Sequence, residues 1–198
     1  MMRYLIALAL LLCGTVGADE TGWTALSSVS QLSDGDGINW TNSSGVYSTM
    51  NLDAGGWTNT LVVTWSLSIP TDATIDGIRF RYSAKSNTTN DMAEYGFRIR
   101  IGGVAVGNDL YTSANYTTSY ATYSHGSATS VSSIWGITPT ATEVNSISVG
   151  LKCLDDGGGA GDDMWVDTNN FEINVDYTLA AGEGEGEGEG DFFLFFNR

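Results

Sequence analysis

The stretch that most constrains the fold lies between residues 61 and 82, where apolar and polar side chains alternate. Every second residue of 61–69 is apolar, and only Val62 departs from the pattern. A period of two is typical of a β-strand with one buried face. Pro70 lacks a backbone donor and fixes φ, so this strand is predicted to end before it. After a turn the alternation resumes and predicts a second strand, at Ile78, Phe80 and Tyr82.

The same period recurs along the chain and predicts an all-β fold. The clearest later examples are Tyr95, Phe97, Ile99 and Ile101, then residues 146–154, then Phe171, Ile173, Val175 and Tyr177. No long amphipathic helix is predicted. Many short strands separated by turns favour an antiparallel β-sandwich of jelly-roll-like form. The predicted core comprises Ile69, Ile78, Phe80, Phe97, Ile99, Val149, Leu151, Ile173 and Val175.

The ends of the chain differ in composition from the body. Residues 1–18 contain a positively charged residue, Arg3, then an apolar run and a cleavage site of small residues. This order predicts a signal peptide and a secreted or cell-surface protein. Residues 19–37 are predicted to be an N-terminal arm or first strand, and 38–180 the β-sandwich domain. Residues 181–191 form a Gly-Glu linker predicted to be disordered, and 192–198 an apolar tail. No apolar run reaches the roughly 20 residues of a transmembrane helix.

The tail contains five consecutive apolar residues, Phe192–Phe196, after the charged linker. Such a run is too short to cross a membrane but favours β-structure. It suggests a docking peptide, a strand that adds to a sheet edge, or the start of a sorting signal. Self-association through this segment is one hypothesis for its role.

Charge and cysteine content limit the remaining possibilities. A formal net charge of −15 argues against nucleic-acid binding through a general basic field. Removal of the signal peptide removes Cys13 and leaves Cys153 as the remaining thiol. Its position in phase with an apolar strand predicts a buried, inert side chain, and an intermolecular disulfide is the alternative.

Residues 39–178 resemble a jelly-roll-like β-sandwich family found in bacterial surface proteins, phage tail-associated proteins and metagenomic sequences. The specific match is IPTDATIDGI at residues 69–78, supported by Asn39-Trp40-Thr41-Asn42, Trp135-Gly136 and Val166-Asp167. The resemblance implies the sandwich fold and an accessory or structural role, and it brings no catalytic residues. Thr168-Asn169-Asn170 departs from the family as an insertion, which predicts a β-bulge in the last strand.

Catalytic chemistry finds little support in the sequence. The one histidine, His125, has no neighbouring motif from which a triad or metal set follows, and it is predicted to lie in a surface turn. The acidic residues do not form a recognisable glycosidase motif. We therefore predict a protein that is not an enzyme.

Acidic loops are candidate calcium sites, and calcium is the one cofactor that the sequence suggests. Ca²⁺ prefers several oxygen ligands from flexible, carboxylate-rich loops. The alternative is that Asp-Gly pairs are ordinary turn residues. The candidate ligands are Asp34, Asp36, Asp155, Asp156, Asp162 and Asp163.

Aromatic and basic residues suggest ligand binding. Trp57 and Trp135 lie beside glycines in predicted loops and are candidate exposed rings for a glycan, whereas Trp65 and Tyr95 are in phase with core strands. The residues Arg79, Arg81, Arg98 and Arg100 lie opposite the apolar faces of their strands, together with Lys85. If the two strands share a sheet, these side chains form a basic patch that binds an anion or is neutralised by neighbouring acids.

These features together predict a secreted, non-catalytic β-sandwich module that acts in cell-surface binding, adhesion or assembly. Its predicted partner is a surface glycan or protein. Two alternatives remain open: a carbohydrate-binding module, and a phage tail or virion structural component.

Overall fold

The computed structural model describes residues 18–33, 37–52, 56–89, 91–157 and 161–180. The predicted signal peptide, apart from Ala18, lies outside these residues, as do the linker and the apolar tail from residue 181 onward. The helices are α1 (Val131–Trp135) and α2 (Ala141–Val144). The strands are β1 (Ala18–Glu20), β2 (Thr24–Ala25), β3 (Ser28–Leu32), β4 (Thr41–Ser43), β5 (Val46–Leu52), β6 (Thr60–Thr64), β7 (Thr74–Ser86), β8 (Met92–Ile101), β9 (Val104–Ala105), β10 (Ala121–Ser127), β11 (Ser148–Asp155) and β12 (Asp162–Thr178).

The strands form two antiparallel sheets around one core, which confirms the predicted all-β sandwich. The front sheet has the order β10-β7-β12-β5-β4, and β1 and β2 also pair with β12. The back sheet has the order β3-β6-β11-β8-β9. Because β7 and β12 are the longest strands and lie side by side, their outward residues dominate the front face.

The segment 19–37 supplies strands to both sheets. Asp19 of β1 lies opposite Tyr177, and Thr24 of β2 lies opposite Ile173. The chain then crosses to the back sheet, where β3 pairs with β6. The described part of this segment is therefore built into both layers of the sandwich.

The strand predicted over 61–69 is shorter than expected, because β6 ends at Thr64. The chain stays extended, and Leu67 donates its backbone N–H to the carbonyl of Asn145. The Asn145 side chain then accepts the N–H of Ile69 at 2.7 Å and donates to its carbonyl at 2.8 Å. These side-chain bonds satisfy backbone groups that a longer strand would have paired with a neighbouring strand.

The core between the sheets confirms the predicted apolar set. The buried residues include Ile69, Ile78, Phe80, Phe97, Ile99, Val149, Leu151, Ile173 and Val175. Phe80 lies among aromatic rings, with its centroid 5.2 Å from that of Trp65 and 5.5 Å from that of Trp135. Cys153 is buried and free, as predicted. The described body therefore rests on packing, without a disulfide among its residues.

A β-bulge in β8 reverses the predicted phase of one residue. Gly96 lies opposite Lys152, but the next pair is Glu94 with Cys153, so Tyr95 is the extra residue. Tyr95 is consequently 46% exposed, and the prediction that it packs in the core is wrong. The same bulge turns Glu94 inward, where it is buried.

A second irregularity lies in β12, where the sequence predicted a bulge. The register against β7 shifts between Asp167 and Glu172, so the four residues 168–171 interrupt the pairing. Asp167 holds this segment by accepting the backbone N–H of Asn169 at 3.0 Å and the side-chain amide of Asn170 at 2.6 Å. The interruption opens space on the front face.

Three glycines explain local features of the sequence. Gly102 and Gly103 have φ of 57° and 81°, the left-handed values that a two-residue hairpin turn requires, and they join β8 to β9 as predicted. Gly77, within IPTDATIDGI, faces the backbone where β10 ends, since an added Cβ would lie 2.3 Å from the carbonyl oxygen of Ser127.

The helices are single turns. The helical turn predicted at 140–144 is confirmed as α2, with a capping box between Thr140 and Glu143. The hydrogen bonds from Thr140 hold the pKa of Glu143 below its usual value. No helix in the described part of the chain has the length and apolar character needed to cross a membrane.

Candidate functional site

The four predicted arginines do not form one patch. Arg79 and Arg81 point outward from β7 in the front sheet, whereas Arg98 and Arg100 point outward from β8 in the back sheet. The sequence condition for a shared patch, that both strands lie in one sheet, is not met. The sandwich core separates the two pairs, and each pair must be considered with its own neighbours.

On the front face, both arginines are paired with acids. Arg79 lies 3.0 Å from Asp176 and 3.1 Å from Glu20, and Arg81 pairs with Glu172. Burial raises the pKa of Asp176, and the charge and hydrogen bonds of Arg79 oppose that rise. With two arginines set against three acids, this part of the front face carries no excess positive charge.

Aromatic rings also contact cations of β7. The Arg81 guanidinium lies 4.1 Å from the centroid of the Trp23 ring. Four residues along β7, the Lys85 ammonium lies 4.9 Å from the ring centroids of both Tyr120 and Trp165. Cation–π contacts of this kind hold a ring in place while leaving part of its surface open. Trp23 and Tyr120 are both exposed.

A polar cavity of about 290 Å³ lies on the front face, beside Arg81 and extending along β7 to Ser83, two residues before Lys85. Asn170 and Glu172, at the β12 interruption, are part of its lining. Its lining residues are Arg81, Ser83, Thr122, Asn170 and Glu172. We call the cavity together with Trp23, Lys85, Tyr120 and Trp165 the front groove.

The back-face arginines line a second cavity, of about 220 Å³. Arg98 lies 3.1 Å from Asp109, and Arg100 donates to the carbonyl of Gly103. Lys152, which the sequence did not single out, lies in the same lining. The signal that would have found it is its place in the alternation of 146–154, on the face opposite Leu151 and Cys153.

The two tryptophans predicted to contact a glycan differ in their exposure to solvent. Trp57 is 41% exposed, in an isolated bridge with Leu154. Trp135 is fully buried, and the prediction of an exposed ring there is wrong. It ends α1, packs edge-on against Phe80, and donates its ring N–H to the carbonyl of Ile78 at 2.9 Å. That buried hydrogen bond explains how a tryptophan beside a glycine is held inside the sandwich.

The predicted calcium ligands lie partly outside the described residues, because Asp34 and Asp36 fall there. Asp155 and Asp162 are buried, and each has one carboxylate oxygen, Oδ2, without a hydrogen-bond partner. Burial, with the nearby charge of Asp155, raises the pKa of Asp162. Asp156 is exposed and Asp163 half-buried.

The described residues contain no group of three or more acidic, histidine or cysteine side chains arranged to hold a metal ion. Calcium binding therefore stays a prediction.

His125 is buried in β10, and its predicted place in a surface turn is wrong. Its ring nitrogen Nε2 lies 2.9 Å from Glu94 Oε2, which also accepts the hydroxyl of Tyr82. The other Glu94 oxygen accepts the N–H of Thr112 at 2.9 Å. The signal for His125 was present in the sequence, because it continues the period of Ala121 and Tyr123. Nothing in the sequence marked Glu94, because a bulge turns it inward.

This buried polar cluster extends through neighbouring hydroxyl and thiol groups. The hydroxyls of Tyr82 and Tyr116 lie 2.8 Å apart, and Cys153 Sγ lies 3.6 Å from the latter. Burial is the main cause that raises the pKa of Tyr82, Tyr116 and Cys153. A thiol whose pKa is raised holds its proton, which supports an inert rather than a reactive Cys153.

No protein-family model matches the sequence, and no curated protein does. Several solved structures resemble the fold at low identity. A CBM4 carbohydrate-binding module is 14% identical, with 69% of this chain and 87% of that chain covered and a TM-score of 0.38. TmCBM61, solved with β-1,4-galactotriose, is 12% identical, with 77% and 88% covered and a TM-score of 0.37.

The enzymatically active domain of tailspike protein 4 from bacteriophage CBA120 is 15% identical, with 83% of this chain but 19% of that chain covered and a TM-score of 0.36. At these identities and TM-scores, none of these proteins lends its ligand or activity to this chain.

Proposed function

We propose that this protein is a non-catalytic glycan-binding module whose ligand lies in the front groove. The observation that carries the proposal is a polar cavity beside two cations of β7 that contact aromatic rings. Arg81 contacts Trp23, which is exposed, and Lys85 contacts the exposed Tyr120 and the half-buried Trp165. Charged, hydroxyl and amide side chains line the cavity.

This combination matches the chemistry of a sugar. A pyranose ring has an apolar face of C–H groups, which packs on an aromatic ring, and a rim of hydroxyl groups, which donate and accept hydrogen bonds. The lining offers a guanidinium donor from Arg81, a carboxylate acceptor from Glu172 and an amide from Asn170. A few placed polar groups beside aromatic walls are typical of small-ligand sites.

The length of the groove favours a short oligosaccharide over a single sugar. Arg81 and Lys85, which carry the two aromatic clusters, are four residues apart on one strand. At the rise of a β-strand this separation is about 13 Å. A ligand that contacts Trp23 and Tyr120 together must therefore extend along β7.

The rings are held before a ligand arrives. Arg81 is fixed by Glu172 beneath the Trp23 ring, and Lys85 lies between two rings. A side chain that is already ordered loses less conformational entropy on binding, which favours affinity. The bulge segment is ordered in the same way, through the bonds from Asp167 to Asn169 and Asn170.

The experiment is a glycan array probed with the full-length protein, followed by titration calorimetry with the best neutral oligosaccharide. We expect Trp23→Ala and Tyr120→Ala each to weaken binding at least tenfold. Tyr111→Ala is the matched control, because this exposed tyrosine lies near the back-sheet residue Tyr95. An array without a bound glycan, or equal losses in all three variants, would contradict the proposal.

Secretion and a surface setting belong to the same proposal. A glycan-binding module acts where polysaccharides are found, and the predicted signal peptide at 1–18 would bring it there. The expected product of secretion begins at Asp19, which can be tested by N-terminal sequencing of protein from the culture medium. Recovery of the uncleaved chain from the cytoplasm alone would contradict this part.

A further inference from the structure

We propose that the back-face cavity is a second binding site, which takes an acidic sugar through its carboxylate or sulfate group. The site is lined by residues of the back sheet and the segment after it, and we call it the back pocket. The lining consists of Thr60, Gly96, Arg98, Arg100, Ala105, Asp109, Gly150 and Lys152. The proposal does not depend on ligand binding in the front groove, which faces the other side of the sandwich.

The floor of the back pocket is open because glycines alternate with cations across two strands. Arg98 of β8 lies opposite Gly150 of β11, and Gly96 lies opposite Lys152. Each long basic side chain therefore stands beside a position without a side chain. The register produces a cavity between basic side chains where other residues would have filled the sheet surface.

The charges around the back pocket favour an anion. Its lining contains the three cations Arg98, Arg100 and Lys152 against the single carboxylate of Asp109. That carboxylate is already engaged, since Oδ1 accepts the N–H of Phe97 at 2.7 Å and Oδ2 lies 3.1 Å from Arg98 Nε. Asp109 thus fixes the direction of Arg98, whose side chain remains 50% exposed.

The front groove provides the contrast, because its cavity is lined by one cation, Arg81, and one carboxylate, Glu172, which form an ion pair. The lining of the back pocket contains more cations than carboxylates. The two faces of this acidic protein therefore differ in the charge that lines these two cavities. The distant acids of the body are screened over about 8–10 Å at physiological ionic strength, so the local cations decide what binds in the back pocket.

Two exposed rings favour a sugar over a bare anion. Tyr95, brought to the surface by the β8 bulge, directly precedes Gly96. Tyr111 follows Asp109 by two residues, and the two ring centroids lie 6.3 Å apart. A sugar that carries an anionic group can place that group among the cations while its apolar face packs on a tyrosine.

The test is calorimetric titration of the full-length protein with galacturonic acid trimer, its methyl ester, a sulfated galactose trimer and inorganic sulfate. We expect at least one acidic trimer to bind at least tenfold more tightly than the methyl ester and than inorganic sulfate. The affinity should fall as salt rises, because the contact is electrostatic. Preference between the two acidic trimers identifies the anionic group.

Variants separate this site from the rest of the surface. Arg100→Gln and Lys152→Gln should each weaken binding of the acidic trimer at least tenfold, whereas Arg79→Gln, with the same change in charge on the front face but outside the front groove, should leave it unchanged. Gly96→Val should block the back pocket. Gly96→Ala tests whether the position tolerates a side chain, because its Cβ would meet Asp109 Oδ2 at 3.5 Å, an ordinary contact.

Equal affinity for the acidic trimers and the methyl ester would overturn the proposal. So would competition by inorganic sulfate at the affinity of the trimers, or an equal loss in Arg79→Gln and Lys152→Gln. Trp23→Ala reports on the front groove and Lys152→Gln on the back pocket, so failure of the front-groove proposal and failure of this one give different results.

Discussion

At the scale of single residues, the buried acids are the least expected feature of this chain. Glu94 is buried but surrounded by donors from Tyr82, His125 and Thr112. Asp155 and Asp162 are also buried, yet each keeps an oxygen without a partner. A buried polar group without a hydrogen bond costs about 1–3 kcal/mol. The oxygens of Glu94 thus have hydrogen-bond donors within the protein. The free oxygens of Asp155 and Asp162 would be stabilised by a bound proton or a cation.

The first prediction concerns the proton. Burial raises the pKa of Asp162 above its value in the unfolded chain. The ionised folded state is therefore penalised above the folded pKa, and the penalty disappears below the unfolded pKa. In chelator at neutral pH, Asp162→Asn should raise the melting temperature by about 2–4 °C, the shift expected for about 1 kcal/mol in a domain of this size.

The gain from Asp162→Asn should shrink as the pH falls through the range in which carboxylates titrate. Asp156→Asn is the control, because this neighbouring side chain is exposed. Thermal melts of the three proteins over a pH series provide the measurement. A destabilised Asp162→Asn in chelator, or a gain that does not change with pH, would refute this explanation.

The second prediction concerns calcium at the same side chains. If the acidic loops bind Ca²⁺, saturating metal stabilises the fold by RT ln(1 + [L]/Kd), about 2.7 kcal/mol at a hundredfold excess over Kd. Melting curves in millimolar calcium and in chelator should then differ for the wild type and coincide for Asp155→Asn. Identical wild-type curves in both buffers would leave Asp34, Asp36 and the 155–163 loop as turns alone.

At the scale of elements, one bulge in β8 and one in β12 decide on which face several candidate site residues lie. The extra residue in β8 puts Tyr95 outside and Glu94 inside, and it places Gly96 beside Lys152 at the back pocket. The interruption in β12 opens the front groove and places Asn170 in its lining. Each bulge changes which face a side chain occupies, since a shift of one residue reverses the alternation.

The third prediction tests the phase of β8. Phe97→Ala should lower the free energy of unfolding by about 3–5 kcal/mol, because it removes a fully buried ring from the core. Tyr95→Ala, two residues away on the same strand, should change it by about 0.5 kcal/mol or less, because this ring is exposed. Chemical denaturation of both variants measures the difference. Similar costs for the two would show that Tyr95 packs in the core.

At the scale of the whole molecule, the sandwich separates two surfaces of different chemistry. The front groove contains cations that contact acids and aromatic rings, and the back pocket is lined by three cations and one carboxylate, Asp109, which pairs with Arg98. If both proposed sites bind sugars, the module can contact two parts of one polysaccharide or two chains. Whether the protein also contacts itself depends on the tail, which lies outside the described residues.

The fourth prediction concerns that tail. The Gly-Glu linker has a reach of roughly 15–18 Å for nine residues, which allows Phe192–Phe196 to approach a sheet edge of its own or a neighbouring molecule. Deletion of residues 182–198 should leave the melting temperature unchanged and reduce self-association measured by sedimentation. Replacement of Phe192–Phe196 by serines is the matched control for the linker. If all three proteins are monomeric at high concentration, the tail does not mediate assembly.

The sequence by itself determined the fold class and most of the core. The period-two pattern identified core residues such as Ile78, Phe80, Phe97 and Ile99. A strand with one buried face alternates apolar and polar residues, and this alternation can be read from neighbouring positions in the sequence. Pro70 marked a break, and the paired glycines at 102–103 marked a hairpin, for equally local reasons.

The tertiary structure decided which surfaces the outward residues share. Arg79 and Arg98 have the same local pattern, but they lie on opposite faces because β7 and β8 belong to different sheets. Trp135 looked exposed beside Gly136, yet a packing partner and a carbonyl from β7 hold it inside. The alternation of 146–154 places Lys152 on an outward face, but the register of β11 against β8 places it in the lining of the back pocket. Strand pairing and register depend on contacts between distant parts of the chain, and these position the front groove and the back pocket.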